Sequence, residues 1–381
     1  MLAFDKLSYW EKKTYFEQID FLIIGSGIVG LSTALSLREQ DKNCRILILE
    51  RGYLPTGAST KNAGFTCFGS PSELLDDIHH YGIEKVTETL KLRFNGLEKL
   101  KSRINLSAIN YQQCGSYELF TSNDQLSYNS CVNQINFLNQ LVERTTGLTN
   151  CYSLPEKPFN QLSSAPIQSI FNQYEGQLDT GLLMSELTKL AITHNIHILN
   201  SIEVNRIISD QVVRVETNYG DIVAQKVLLC TNGLTQMLYP NIPIQPARAQ
   251  VIVTSPIPNL TLDSTYHYDK GYYYFRVVDN NRILIGGARN ADFKGEQTLE
   301  IENTTFILSK IIDLLKHTII PNTDFTIDYQ WAGIMGIGQE KKPMITELEQ
   351  NIFCAIGLGG MGVAMGSEVG TILAHKVIQK A

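Results

Sequence analysis

No stretch of this 381-residue chain is apolar for long enough to cross a membrane as a helix. The longest apolar run, Ile352 to Met365, is broken by Gly357, Gly359, Gly360 and Gly362. It falls short of the roughly 20 residues a spanning helix requires. The seven cysteines are odd in number and include no C-x-x-C pair, which predicts free thiols in a reducing cytosol. The opening, Met1 to Gln18, is polar and aromatic with Glu11, Lys12 and Lys13 interrupting it, unlike a secretion signal. Metal-ligand spacing is missing: His79 and His80 are adjacent, and His194 and His197 lack an acidic or thiol partner at ligand distance in sequence. Basic residues are not clustered. Lys and Arg number 32 against 38 Asp and Glu, a net charge of −6, so nucleic acid is not an expected partner. With 43% hydrophobic and 18% charged residues, the chain reads as an ordinary globular protein, long enough for two domains.

What is present begins at Asp20. Phe21 to Ile24 form a continuous apolar run, as expected of a strand buried in a parallel sheet. Gly25, Gly27 and Gly30 then satisfy G-x-G-x-x-G. The first allows a tight turn, the second lets the backbone approach a pyrophosphate, and the third permits close helix–strand contact. A helix over Ile28 to Arg38 offers its N-terminal N–H groups to that pyrophosphate. The next strand, Ile46 to Leu49, ends at Glu50, 20 residues after Gly30. A carboxylate there accepts hydrogen bonds from ribose hydroxyls and repels a 2′-phosphate.

Further along, apolar spacing predicts helix from Pro71 to about Leu106, a strand at Gly115 to Thr121 and a polar helix near Asp124 to Arg144. An amphipathic helix ends at His194. Strands follow at Ile196 to Leu199, Val212 to Thr217 and Val227 to Cys230, with a hairpin turn at Asn218 to Asp221. Arg248 to Ser255, Tyr272 to Val278 and Arg282 to Gly286 alternate as strands, the last two joined by the turn Asp279-Asn-Asn281. A helix is expected at about Thr304 to Leu315, and another from the glycine-rich block at Gly357 to Ile378. The fold class is α/β plus α+β: a discontinuous Rossmann-like nucleotide domain (1–75, 165–240, 328–381) with an inserted antiparallel-sheet substrate domain (76–164, 241–327).

Five blocks in this order resemble the D-amino-acid oxidase-like FAD-dependent oxidoreductases, the group of glycine oxidase, sarcosine oxidase and γ-glutamylputrescine oxidase. They are Gly25 to Gly30 with Glu50-Arg51, Gly57-Ala-Ser-Thr-Lys-Asn-Ala-Gly64, Leu178 through Val204, Cys230-Thr-Asn-Gly233, and Gly357-Leu-Gly-Gly-Met-Gly362. Tyr9-Trp10-Glu11 and Tyr274-Phe-Arg276 look most like the γ-glutamylputrescine oxidase branch. The resemblance implies FAD held by Gly25, Gly27, Ile28, Gly30, Glu50, Arg51, Ser59, Thr60, Lys61, Asn62, Gly64, Val204, Thr231, Gly233, Gly333, Gly357, Gly359, Gly360, Met361, Gly362 and Val363. It implies oxidation at the carbon next to an amine by hydride transfer to flavin N5, with an imine that hydrolyses and O2 as acceptor. Arg276 and Arg289 are candidate carboxylate anchors, since a guanidinium binds a carboxylate bidentately, and Tyr274 is a candidate pocket wall. Arg248 reads as structural.

Two departures from the family pattern bear on the chemistry. Trp331 to Gly336 lacks the cysteine to which the sarcosine oxidase branch attaches its flavin, so non-covalent FAD is expected. The strand Ile283-Leu-Ile285 lacks that branch's oxygen-activating lysine. An FAD dehydrogenase feeding a quinone or carrier protein is therefore the main alternative. An NAD-linked Rossmann dehydrogenase without flavin is a second, though it uses only residues 20 to 50. A cytoplasmic enzyme acting on a small amine or amino acid is the expectation.

Overall fold

The computed structural model describes residues 6–155, 167–321 and 323–379. Two eight-stranded sheets organise it. In the first, Ile19–Ile24 lies between Ile46–Leu49 and Gly220–Leu229, parallel to both. Ile352–Ile356 extends the parallel run on one side and His197–Leu199 on the other. Both faces are covered, so alternate residues enter different cores. Phe21 and Ile23 belong to one, Leu22 and Ile24 to the other. That is why the strand reads as an unbroken apolar run rather than an alternating one. Val213–Thr217 and Val204–Ile208 add an antiparallel flap.

The second sheet runs Ile327–Ile337, Gln245–Thr254, Arg282–Gly287, Tyr273–Val278, Thr265–Tyr268, Ser116–Phe120, Gln168–Asn172, Tyr152–Ser153. All neighbours are antiparallel except Thr265–Tyr268 with Ser116–Phe120. Asn280 and Asn281, both with φ of +57°, make the tight turn expected at 279–281.

The sheets redraw the expected segments in two places. Gln168–Asn172 and Ile327–Ile337, placed by sequence largely within the nucleotide segments, pair in the second sheet. The 164/165 boundary lies outside the described residues. The helix expected over 71–106 is two helices, Pro71–Tyr81 and Ile83–Arg103, separated at Gly82, whose φ of +84° breaks the ladder. The polar helix near 124–144 likewise divides into Gln125–Asn133 and Ile135–Thr146. Apolar spacing passes through such breaks because it reports faces, not backbone continuity.

Ile28–Gln40 is buried from residue 28 to residue 38. Its partners are the first sheet and the C-terminal helix Gly362–Gln379, which also meets Ile83–Arg103. Glycines permit these crossings. A Cβ on Gly370 would lie 2.8 Å from Ser32 Cβ and 2.9 Å from the Val29 carbonyl oxygen. One on Gly366 would lie 2.7 Å from Ile28 Cγ2, and one on Gly96 2.1 Å from the Ala364 oxygen. Hydroxyl pairs Ser32–Ser367 (3.3 Å) and Ser36–Thr371 (2.9 Å) line the first crossing. Among the described residues, no helix is long and apolar enough to cross a membrane.

The Gly96 crossing is testable. Gly96→Val puts a side chain where a backbone oxygen stands, so one helix must shift, at a cost of about 1–3 kcal/mol. Urea denaturation followed by circular dichroism should show a lower midpoint; an unchanged midpoint would contradict the close crossing.

Candidate active site

A cavity of about 680 Å³ opens between the glycine turns of the first sheet and one face of the second, a size suited to a large organic ligand. The first-sheet side is built by the Ile19–Ile24 strand, the turn after it and the start of the Ile28–Gln40 helix. Gly25 has a φ of +101°, and a Cβ there would meet the Cys230 oxygen at 2.9 Å. Gly30 is stricter: its Cβ would lie 1.9 Å from the Gly25 oxygen. Gly30 therefore shapes the turn from behind without lining the cavity, whereas Gly25, Gly27 and Ile28 line it. Glu50 is buried at the end of its strand. One of its oxygens accepts from Ser26 N (3.1 Å) and Ser26 Oγ (2.8 Å), the other from Gly52 N (2.9 Å). Oε1, with one donor, keeps lone-pair capacity for a further one. Arg51, Val204 and Thr231 border the same region.

The loop after Gly57 forms a short helix, Ala58–Lys61. Ser59, Lys61 and Asn62 line the cavity, but Thr60 and Gly64 do not. The Thr60 hydroxyl is turned back to the Pro55 oxygen at 2.6 Å. Asn62 is occupied as a brace: its Oδ1 accepts from Gly64 N (2.8 Å) and Thr180 Oγ1 (3.0 Å), and its Nδ2 donates to the Ser59 oxygen (2.8 Å). Ser59 Oγ accepts from Ile28 N at 3.0 Å, tying this loop to the first turn.

The last glycine block closes the cradle. Gly357, Gly359, Gly360, Met361, Gly362 and Val363 all line the cavity, as does Gly333. Gly357 and Gly359 have φ of +82° and +56°. The sequence reading missed the residue that pins them. Asn232 Oδ1 accepts from Gly357 N (2.9 Å) and Leu358 N (3.3 Å). Its φ of +47° is a conformation asparagine tolerates, and the Asn-Gly pair at 232–233 was the available signal. Gly233 itself lies outside the lining. A Cβ there would meet the Met335 oxygen at 2.2 Å, so it admits the Ile327–Ile337 strand.

On the second-sheet side, strand alternation sorts the three tyrosines. Tyr272 and Tyr274 line the cavity, while Tyr273 packs against Tyr268 at 5.8 Å. Tyr274 lies over Gly286, where a Cβ would sit 2.7 Å from its hydroxyl oxygen; burial pushes its phenol up to about 12. Arg276 is a correction. It does not line the cavity, and its guanidinium is spent on the Ala63 oxygen (2.6 Å), the Leu178 oxygen (3.0 Å) and Gln177 Oε1 (3.3 Å). It fastens the second sheet to the 57–64 loop. Arg289 does line the cavity, with its guanidinium carbon 4.7 Å from the Phe293 ring centre. No hydrogen bond or ion pair engages that guanidinium among the described residues. Arg248 makes a bidentate ion pair with Glu296, at 2.7 and 3.0 Å.

An ionic cluster, buried at Arg93, mostly buried at Glu73 and open to solvent at Lys341, completes the lining. Arg93 donates to Glu73 (3.1 Å) and to the Phe68 oxygen (3.0 Å), while Lys341 contacts Glu73 (2.7 Å) and Asp77 (2.9 Å). Burial alone would raise the Glu73 pKa, but Arg93 and Lys341 outweigh it and hold the carboxyl well below the usual range. Burial and then Glu73 push Asp77 up.

The family model described as FAD dependent oxidoreductase matches residues 20–376, and the chain belongs to that family. It is an FAD-dependent oxidoreductase. A match of that length sets aside an NAD-linked enzyme without flavin, which would explain only residues 20 to 50. Probable oxidoreductase OrdL of Haemophilus influenzae is 22% identical over 96% of this chain and 84% of its own. Gamma-glutamylputrescine oxidoreductase of Escherichia coli is 23% identical over 93% and 83%. In fold, the chain is similar to L-proline dehydrogenase from P. horikoshii (TM-score 0.72, 18% identity, 96% and 94% covered). It is equally similar to glycine oxidase from Geobacillus kaustophilus (TM-score 0.72, 18% identity, 95% and 94% covered).

The ionic cluster makes a pH-dependent prediction. Glu73→Gln leaves Arg93 and Lys341 under-compensated, and breaking a buried pair costs up to about 3–5 kcal/mol. The native pKa of Glu73 is depressed, so its contribution is full above the unfolded value of about 4.3 and fades as pH falls below it. Denaturation of both proteins at pH 7, 5 and 3.5 should show the gap narrowing only in acid. A gap that stays constant or widens on acidification would contradict the assignment.

Proposed function

We propose that this chain uses non-covalently held FAD to oxidise an amine or amino acid at the carbon next to nitrogen, yielding an imine that water hydrolyses, with O2 as final acceptor. FAD supplies the hydride acceptor, and the chain's own residues bind, orient and exclude water. The turn at Gly25 and Gly27 and the start of the Ile28–Gln40 helix, whose Ile28 N–H is held by Ser59 Oγ, would take the pyrophosphate, with Glu50 on the ribose and Arg51, Val204 and Thr231 near the adenosine. Ser59, Lys61, Asn62 and Gly333 would face the flavin. Gly362 and Val363, at the start of the last helix beside Met361, would direct N–H groups toward the charge that builds on the ring. Thr60, Gly64, Gly233 and Gly30 act behind them as shape. The reading is supported by glycines at 25, 30 and 357 that leave no space for a Cβ, and by the names of the relatives, which act on gamma-glutamylputrescine, glycine and L-proline. The division into FAD and substrate segments would then follow the two sheets.

The single observation that carries the substrate half is Arg289, a half-buried cation in the cavity that forms no ion pair among the described residues, the Glu296 carboxylate near it being paired with Arg248. We assign it the substrate carboxylate, with Tyr274 as the adjoining wall. The acceptor is open to one structural argument. Ile283, Leu284 and Ile285 are buried and apolar where one oxidase branch carries a lysine, which favours a dehydrogenase as the second reading. Peroxide formation during aerobic turnover decides between them.

Three measurements test the proposal. The protein should purify yellow and release free FAD on acid or heat denaturation; flavin remaining with the precipitate would refute non-covalent binding. Gly27→Val should lose flavin, because its side chain enters the space beside Ser59 that the pyrophosphate needs. Normal flavin content in that variant would remove the motif assignment. Arg289→Lys should lower kcat/KM for a carboxylate substrate by roughly ten- to a hundredfold, the worth of a charge-assisted hydrogen bond, with flavin content unchanged. Arg276→Lys should instead lower the melting temperature. Parent-like anaerobic flavin reduction by Arg289→Lys would place the anchor elsewhere.

A further inference from the structure

Across the second sheet, Glu118, His267, Tyr274, Gly286, Val251 and Trp331 stand opposite one another in a single row. His267 and Tyr274 line the cavity from that row. His267 is only 8% exposed. Its Nε2 is fully buried with no hydrogen bond formed, 3.5 Å from Glu175 Oε2. Glu175 is fixed in turn: it is 1% exposed, and its other oxygen accepts from Phe68 N (2.9 Å) and Gly69 N (3.2 Å). Phe65 packs against the imidazole with ring centres 5.2 Å apart. Glu118, next in the row, is satisfied by Ser70 and by the backbone and hydroxyl of Ser72. Glu175 is thus the carboxylate directed at the histidine.

An amine is an ammonium at neutral pH, and an ammonium has no lone pair to stabilise the cation formed as hydride leaves the neighbouring carbon. One proton must be removed first. Among the described cavity residues, Arg51, Lys61, Arg93, Lys270, Arg289 and Lys341 are cations, and Tyr274 holds its proton. Glu73, Asp76, Asp77, Glu203 and Glu340 are committed to ion pairs, and Glu50 accepts from Ser26 and Gly52. His80 also borders the cavity, but its ring is solvent-exposed and its Nδ1 sits 2.8 Å from the Asp76 carbonyl.

We propose that His267, oriented by Glu175, accepts the proton from the substrate's ammonium before oxidation. The N–H bond breaks, its electron pair stays on nitrogen, and the proton bonds to the ring nitrogen that does not face Glu175. Glu175 remains a carboxylate and balances the imidazolium. Two electrons and the carbon's hydrogen then pass to FAD, the imine hydrolyses, and His267 returns its proton to water. The step rests on the amine-oxidation reading above.

Burial alone would lower the His267 pKa, but Glu175, Glu118 and Glu73 outweigh it and raise the value. These face it from the turn after Gln168–Asn172, the neighbouring strand and the Pro71–Tyr81 helix. Arg93 stands beyond Glu73, and Tyr274 lies opposite. The basic form therefore becomes available as pH rises through a value above the ordinary 6.5 or so.

The experiment is anaerobic flavin reduction by the holoenzyme at saturating amine or amino acid across pH, for the parent, His267→Gln and Glu175→Gln. It is paired with histidine ¹⁵N NMR titration without substrate; His267→Asn and Glu175→Asp serve if a first variant fails to fold. The parent's limiting rate should rise through one ionisation above about 6.5. Glu175→Gln should move that ionisation, and the His267 NMR titration, to lower pH. His267→Gln should reduce flavin about a hundredfold or more slowly at pH 7, with the loss shrinking at high pH where the substrate is already a free amine. If His267→Gln keeps the parent's rate and profile, or Glu175→Gln shifts neither titration, the proposal is overturned. If no amine or amino acid bleaches the parent's flavin, the underlying functional reading fails instead.

Discussion

The site depends on two backbones meeting where side chains would ordinarily keep them apart. Because Gly366 and Gly370 carry no Cβ, the C-terminal helix rests directly on Ile28, Val29, Ser32 and Thr33. Because Gly30 carries none, the helix that receives it starts hard against the Gly25 carbonyl. Both helices thereby begin at the same cavity, one after the Gly25–Gly30 turn and one after Gly357–Met361. Two helix N-termini, and so two positive dipole ends, converge there. A dinucleotide needs this at two places along its length, the pyrophosphate and the ring that gains charge. The arrangement is steric rather than adhesive, so it has little slack.

The opposite wall works by charge compensation. Taking an ion out of water is expensive unless a partner stays with it, and most of the charges here are paired. Glu73 has Arg93 and Lys341, Asp76 has Lys270, and Arg248 has Glu296. Against that background, the two unusual groups are Arg289, a cation that forms no ion pair among the described residues, and His267, a titratable ring with one buried carboxylate behind it. They differ in kind. Arg289 cannot lose its charge and so can only bind, whereas His267 can change protonation state and so can take part in a reaction.

Geometry makes the wall a precise support. His267 and Tyr274 are carried by neighbouring strands in register, not by loops, and Gly286 on the next strand gives the Tyr274 ring room to lie across the sheet. Arg276, buried and spent on carbonyls of the 63–64 and 177–178 regions, ties this sheet to the loop below it. The relative position of the cavity's two walls is thus held by hydrogen bonds that contact no ligand.

This division explains what could be read from residues alone. The nucleotide half lies in short contiguous motifs, because a turn, a glycine and the helix after it are neighbours in sequence as well as in space. Gly25, Gly27, Glu50 and Gly357–Gly362 were legible for that reason. The other half is assembled from residues far apart. Lys341 meets Glu73 across 268 positions, and Glu175 reaches His267 across 92 (267 − 175). Arg276 and Arg289 looked equivalent as sequence, each an arginine in or beside an expected strand of the inserted segment. Only strand register separates them, since Arg276 pairs with Thr265 and Leu284 inside the sheet while Arg289 follows the last strand residue and the left-handed turn at Ala288. Register depends on which strands pair, and pairing is a property of the whole sheet. Cofactor class was therefore readable from local pattern, and the groups that would choose and activate a substrate were not.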